Sequence, residues 1–102
     1  MAGDAPQQAV ALLDRVVAQR LSELPEGSYV TNLHERGSGY VAQKVVEEAG
    51  EVIVAALQGQ KAELAAEAAD LLFHLTVLLH LSGDSLSGPA RVLLERHADR
   101  QR

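Results

Sequence analysis

The chain has no cysteine and no tryptophan, and only one phenylalanine, two tyrosines and three prolines among its 102 residues. The missing thiols exclude a disulfide framework, a thiolate metal site and a cysteine nucleophile. Basic residues are also short: nine Lys and Arg stand against fourteen Asp and Glu, a formal net charge of −5, which argues against nucleic acid as a partner. No segment alternates polar and apolar residues over a useful length, so no strand is expected. The N-terminus lacks a basic stretch followed by an apolar run, so no signal peptide is expected and the location is cytoplasmic.

What is present suits one helical domain over 1–102. A chain of this size buries only somewhat over 60% of the surface its unfolded form exposes, so its core is thin and a partner subunit would help. Leu64 to Leu81 is apolar enough to mimic a membrane span, but Glu67, Asp70, His74 and His80 lie inside it. A carboxylate at the bilayer centre costs roughly 2.5–3.5 kcal/mol, so the stretch reads as a buried helix of a soluble protein.

Glycine and proline divide the rest. Asp4-Ala5-Pro6 opens a helix carrying Leu12, Leu13, Val16, Val17 and Leu21 at helical spacing. Ser28 caps a short helical piece that reaches Arg36 and stops at Gly37-Ser38-Gly39. Long helices are expected from about Tyr40 to Gln58 and from about Lys61 to Ser82, and a last helix, with Pro89 in its first turn, reaches Arg96. The class is all-α.

The charge is unevenly spread. Residues 44–70 hold six acids and two lysines, a balance of −4 out of −5. On the first long helix, projected at about 100° per residue with Glu47 at zero, Glu51, Lys44 and Glu48 fall within about 100°, and Val41, Val45, Val52, Ile53 and Leu57 fill roughly 120° to 280°. The second is apolar nearly all round, with Glu67, Asp70 and His74 as its polar stripe. Such a helix is central and largely buried, so its carboxylates face protein or a cleft.

Glu48 and Glu51 are three residues apart, as are Glu67 and Asp70, so each helix presents a pair on one face. The short connection around Gly59 makes the helices antiparallel. Glu51 and Glu67 each lie eight residues from Gly59, and Glu48 and Asp70 each eleven, so both pairs come level and four carboxylates meet. Like charges so close repel by several kcal/mol at an effective dielectric of about 20, and the arrangement is sensible with a cation. All-oxygen ligands suit Mg²⁺, or Mn²⁺, which completes its shell with water and phosphate oxygens. The residues alone therefore point to metal-dependent phosphate chemistry.

The series Glu47-Glu48-Ala49-Gly50-Glu51, fifteen residues, then Glu67-Ala68-Ala69-Asp70 resembles the EExxE…ExxD signature of the all-α, MazG-type nucleoside triphosphate pyrophosphohydrolases. Pro25-Glu26-Gly27-Ser28-Tyr29, Gln43-Lys44-Val45-Val46-Glu47-Glu48 and Asp70-Leu71-Leu72-Phe73-His74 resemble, within that superfamily, the phosphoribosyl-ATP pyrophosphatase family. The likeness spans about Val10 to Arg96, with Val46 and Val30 as departures from residues common in the family. It implies a MazG-like bundle with antiparallel central helices, completed by dimerisation. It also implies hydrolysis of the α–β phosphoanhydride of 1-(5-phosphoribosyl)-ATP, the second step of histidine biosynthesis. By position, Glu48, Glu51, Glu67 and Asp70 would hold magnesium, and Glu47 would add a ligand or orient the attacking water.

Other residues carry two readings each. Lys44 contacts a phosphate or merely pairs with Glu48. Ser28 and Tyr29 bind substrate, or Ser28 is only a helix cap. His74 hydrogen-bonds a carboxylate or phosphate, or is a satisfied core histidine. The basic end, Arg91, Arg96, Arg100 and Arg102, is a solvated tail or reaches the substrate across a homodimer. Two rival functions stay open: a house-cleaning hydrolase of other nucleoside triphosphates, and a helical dimerisation module without activity.

Overall fold

A computed structural model describes residues 5–100 and contains five helices: α1 (Pro6–Glu23), α2 (Tyr29–Arg36), α3 (Ser38–Leu57), α4 (Lys61–Leu81) and α5 (Ser87–Arg100). The chain is all-α, as its periodicity requires. Asp4, expected at the first cap, lies outside the described residues. At that end the Ala5 N–H donates to the Gln8 side-chain oxygen at 3.2 Å.

The two long helices stop by one device. After α3, Gly59 takes a φ of 69°, its N–H donates to the Ala56 carbonyl (3.2 Å) and the Gln60 N–H to the Ala55 carbonyl (3.1 Å). After α4, Gly83 and Asp84 repeat the pattern onto His80 (3.2 Å) and Leu79 (2.9 Å). This Schellman arrangement satisfies carbonyls the helix end would leave unpaired, and it needs a left-handed residue that glycine supplies without a side-chain clash. The first of these turns folds α4 back along α3, and this helical hairpin is the main contact in the chain. α5 begins near Asp84, whose carboxylate occupies the space a side chain at position 88 would need, so Gly88 leaves room for it.

The core is small and sits at one end of the hairpin. Val17 of α1, Leu33 of α2, Val41 of α3 and Val77 of α4 meet there, each fully buried, with Leu13, Leu21, Tyr40, Phe73, Leu78 and Leu81 around them. α1 and α2 cover this end alone. The expectation that α4 is largely buried therefore fails for its N-terminal half, where Ala65, Ala66, Ala68 and Ala69 are exposed; His74, Thr76 and Val77 in the other half are buried. Length and composition alone would let α4 cross a membrane, but its second half packs against α1 and α3.

The face that α3 turns inward also differs from expectation. Val41, Glu48 and Ala55, spaced by seven, are its buried stripe. The apolar arc is wider than the surface the rest of the chain can cover, so Val46, Ile53 and Leu57 are left 72%, 58% and 84% exposed. The Cα radius of gyration, 15.2 Å, exceeds the about 13 Å of a compact domain of this size, as an open hairpin tip and a projecting α5 require. α5 itself runs to Arg100, beyond the expected end at Arg96, and every residue from Pro89 to Arg100 is exposed.

A polar contact at Asp14 ties α1 to α4 and to the turn that follows it. Asp14 of α1 meets the His80 ring at 2.6 Å and accepts the Leu86 N–H at 3.1 Å, holding the α4–α5 turn against α1. Burial pushes the Asp14 carboxyl up, but the Leu86 N–H and the His80 ring outweigh it and hold it below the ordinary carboxylate range. A depressed folded-state value means stabilisation that is complete above the unfolded value and lost as pH falls through the folded one. Asp14→Asn is therefore expected to lower unfolding stability by about 1–3 kcal/mol at pH 7. In urea titrations that deficit should shrink as pH drops below about 4.

Candidate active site

The acids gather on the hairpin, away from the core. Glu47, Gly50 and Glu51 of α3 and Glu63 and Glu67 of α4, with Gln60 at the turn, line an open cleft of about 430 Å³. Antiparallel pairing about Gly59 brings Glu51 and Glu67 level, as their equal distance from the turn requires. Desolvation at the seam first, then the charge and side chain of Glu51, with Asp70 and Glu63 behind, push the Glu67 carboxyl above its ordinary range.

Glu48 lies one turn further along α3 and faces inward. It is 6% exposed, a carboxylate in a core position between Val41 and Ala55. Its Oε1 lies 2.6 Å from His74 Nδ1, while the same ring nitrogen lies 2.9 Å from the Asp70 carbonyl. The ring N–H is aligned with that carbonyl, so Oε1 is close to the donor yet has no directed hydrogen bond of its own. Glu48 Oε2 is 3.9 Å from Lys44 Nζ, and Lys44 also lies 3.7 Å from Glu47 Oε1. Partial desolvation lowers the Lys44 ammonium's affinity for its proton, but Glu48, then Tyr29 and Glu47, outweigh this and lift it above its ordinary range. The opposite edge of Glu47 accepts from the Gln43 amide at 3.2 Å.

The four expected ligands thus stand at two levels, as their spacing requires, but they do not converge on one point. Glu51 and Glu67 are near enough for the charge and side chain of Glu51 to push the Glu67 carboxyl up. Glu48 is drawn toward His74 and Lys44, and the Asp70 side chain is exposed while its backbone carbonyl reaches the Glu48 level through the His74 ring. Among the described residues no group of three carboxylate or imidazole side chains is close enough to hold a metal ion. Mutual repulsion between carboxylates favours such a spread arrangement.

The Ser28-Tyr29 segment reaches this site from α2. Tyr29 is half-exposed, its hydroxyl lies 2.8 Å from His74 Nε2, and its ring stacks on Phe73 with centroids 5.9 Å apart. Desolvation, with Tyr40 and then Glu48 behind it, outweighs the Lys44 and Arg36 charges and pushes its phenol up. Ser28 stands at the helix start as expected, and its carbonyl takes the Asn32 N–H at 3.1 Å. Its side chain, however, makes no capping bond: Oγ is buried and unpartnered, turned away from the free N–H groups of α2. A second cleft of about 430 Å³ lies beside it, lined by Glu26, Tyr29, Thr31, Asn32 and Glu35.

The sequence left His74 either bonded to a carboxylate or phosphate or a satisfied core histidine, and the structure has it buried beside Glu48 with Nδ1 on the Asp70 carbonyl. The ring is 5% exposed with both nitrogens engaged by protein. Sequence reasoning missed Glu63, which lines the cleft four residues before Glu67; that spacing was the available signal. It also missed Arg36, whose guanidinium lies 4.6 Å from the centre of the Tyr40 ring, one turn along α3 from Lys44. Arg91, Arg96 and Arg100 are exposed on α5, and Arg102 lies outside the described residues.

The family model for phosphoribosyl-ATP pyrophosphohydrolase matches residues 10–97. The phosphoribosyl-ATP pyrophosphatase of Metallosphaera sedula is 53% identical over 74 residues, which cover 72% of this chain and 80% of that protein. That of Zymomonas mobilis is 48% identical over 79 residues, 78% of this chain and 74% of the relative. The histidine biosynthesis bifunctional protein HisIE of Photobacterium profundum is 49% identical over 85 residues, 83% of this chain but 41% of that longer protein. Helices, carboxylate register and sequence likeness agree, and the chain belongs to the phosphoribosyl-ATP pyrophosphohydrolase family.

Proposed function

We propose that this protein hydrolyses the α–β phosphoanhydride of 1-(5-phosphoribosyl)-ATP with Mg²⁺, or Mn²⁺, as cofactor, in the second step of histidine biosynthesis. The observation that carries the reading is the meeting of Glu51 and Glu67 across the α3–α4 seam. Two carboxylates crowded at one seam repel an anionic nucleotide unless a cation intervenes. The donor set fits a hard divalent ion: all ligands are oxygens, Glu67 is crowded by Glu51, and Glu48 Oε1 is a buried oxygen without a directed hydrogen bond.

Glu48, Glu51, Glu67 and Asp70 would hold the ion, which would neutralise charge at the phosphoryl oxygens and lower the pKa of a bound water. Lys44, paired with the cleft-lining Glu47, exchanges its loose contacts with Glu47 and Glu48 for a phosphate oxygen. Glu47 is exposed beside it and orients the attacking water or adds a ligand. Tyr29 and Ser28 bind substrate from the α2 side. Water adds to phosphorus at the α–β bridge, the bridging oxygen leaves with pyrophosphate, and the phosphoribosyl-AMP product remains. The same reading makes the protein a soluble, cytoplasmic enzyme that binds neither nucleic acid nor membrane.

Pyrophosphate release from phosphoribosyl-ATP should require Mg²⁺ and vanish with chelator. Glu51→Gln and Asp70→Asn should each lower kcat/KM by roughly 100-fold or more, the range for deleting an electrostatic contact to developing charge. Millimolar Mg²⁺ should raise the melting temperature of the unaltered protein and not of Glu51→Gln. Activity that survives chelation overturns the metal-dependent reading, and equal turnover of ordinary dNTPs moves the substrate to the wider superfamily.

A homodimer completes the proposal. The exposed Val46, Ile53 and Leu57 stripe and the bare alanine surface of α4 are apolar faces that a second copy would cover, closing a four-helix arrangement. Light scattering should give twice the chain mass, and Ile53→Lys should give the monomer with a lower melting temperature. A stable, active monomer of the unaltered protein removes this part of the proposal.

A further inference from the structure

Glu48 is held from inside the protein as well as from the cleft. Its Oε1 lies 2.6 Å from His74 Nδ1, and the other side of that ring meets the Tyr29 hydroxyl at 2.8 Å. The proton positions follow from the partners. Nδ1 faces two acceptors, the Glu48 carboxylate and the Asp70 carbonyl, so it carries hydrogen. In the neutral ring Nε2 is then an acceptor, and Tyr29 O–H donates to it. The ring cannot turn freely, because Tyr29 and Phe73 both meet it edge-on, at centroid distances of 5.6 and 5.2 Å and angles of 87° and 89°. One imidazole thus joins α2, α3 and α4 at the point where the core gives way to the carboxylates.

A histidine needed only to fill space at this position would be matched by an apolar side chain, without the cost of burying polar atoms. Here the ring instead meets a buried carboxylate whose cationic neighbour among the described residues is Lys44, at 3.9 Å. We propose that His74, locked by Tyr29, is a positioning residue that sets the Glu48 carboxylate for cation binding and ties the Ser28-Tyr29 segment to the carboxylate cleft. His74 touches neither the cation nor the substrate. Partners of this kind behind metal-binding groups typically govern 10- to 100-fold in metal affinity. The inference rests on the reading of Glu48 as a cation ligand.

Mn²⁺ serves as the probe, with free Mn²⁺ followed by electron paramagnetic resonance in titrations of the full chain. His74→Gln sets its amide near the Nε2 position and abandons Glu48, while His74→Asn returns a donor near Nδ1. The first should weaken Mn²⁺ binding about 10-fold or more, and the second should recover most of that loss. At saturating Mn²⁺ the KM for phosphoribosyl-ATP should be unchanged in His74→Gln. Tyr29→Phe, which removes only the hydroxyl that fixes the ring, should weaken Mn²⁺ binding about two- to tenfold.

A folded His74→Gln that binds Mn²⁺ as the unaltered protein does, or equally with His74→Asn, overturns the positioning role. If His74→Gln does not fold, unchanged affinity in Tyr29→Phe overturns it. Equal Mn²⁺ binding by the unaltered protein and Glu48→Gln removes Glu48 from the ligands, and the inference falls with that reading. A loss in Glu48→Gln but not in His74→Gln overturns the inference alone.

Discussion

Everything in this molecule depends on how α3 and α4 are paired. A helix pair normally seals itself with aliphatic side chains along its seam, and at the far end Val41 and Val77 do so. Toward the turn the seam carries Glu48, Glu51 and Glu67 instead. The Gly59 turn fixes which residues come level, so a one-residue change in its length would separate Glu51 from Glu67 and with it the local excess of negative charge. Stability and chemistry are thereby divided along one hairpin: the end clasped by α1 and α2 carries the core, and the end near the turn carries the acids.

The two regions meet at Glu48. It shares the seven-residue stripe of Val41 and Ala55, so it is a core residue by position although it carries a carboxylate. Burial of that carboxylate is tolerated because Lys44 approaches from the solvent side and His74 from the protein side. The polar residues His74 and Thr76 are correspondingly buried in α4, with the Thr76 hydroxyl returned to the Leu72 carbonyl at 2.7 Å. Polar groups in this half of the helix are thus accounted for locally, which leaves the carboxylates near the turn as the groups whose charge is least compensated.

The helices and the carboxylate register were legible in the sequence because both are local properties. Glycines at 37, 59 and 83 take positive φ at the ends of helices, and equal counting from Gly59 gave the levels of Glu51 and Glu67. What depended on distant partners was not legible. The 66-residue separation of Asp14 from His80 leaves no periodic trace. Ser28 has the residue type of a cap, yet its hydroxyl turns inward, a choice made by the packing around it. The inward face of α3 was misjudged because its apolar arc is broader than one neighbour covers, and an arc alone does not say which part the chain uses for itself. The convergence of four carboxylates was overstated for a related reason: equal height on two helices fixes axial level, while side-chain direction answers to repulsion and to Lys44 and His74.

The breadth of that arc separates two properties that small helical proteins often entangle. On α3, Glu47 and Glu51 open onto the cleft, whereas Val46, Ile53 and Leu57 lie about 80° to 160° around the helix from them. A surface covering the aliphatic stripe therefore need not cover the cleft mouth, and both can be served by one helix at once. Pairing with α4 uses a third sector, through Val41, Glu48 and Ala55. Three sectors of different chemistry on one helix make α3 neither simply amphipathic nor wholly apolar. They also explain why its single buried carboxylate falls in the sector that faces its own chain, where a histidine from α4 can reach it.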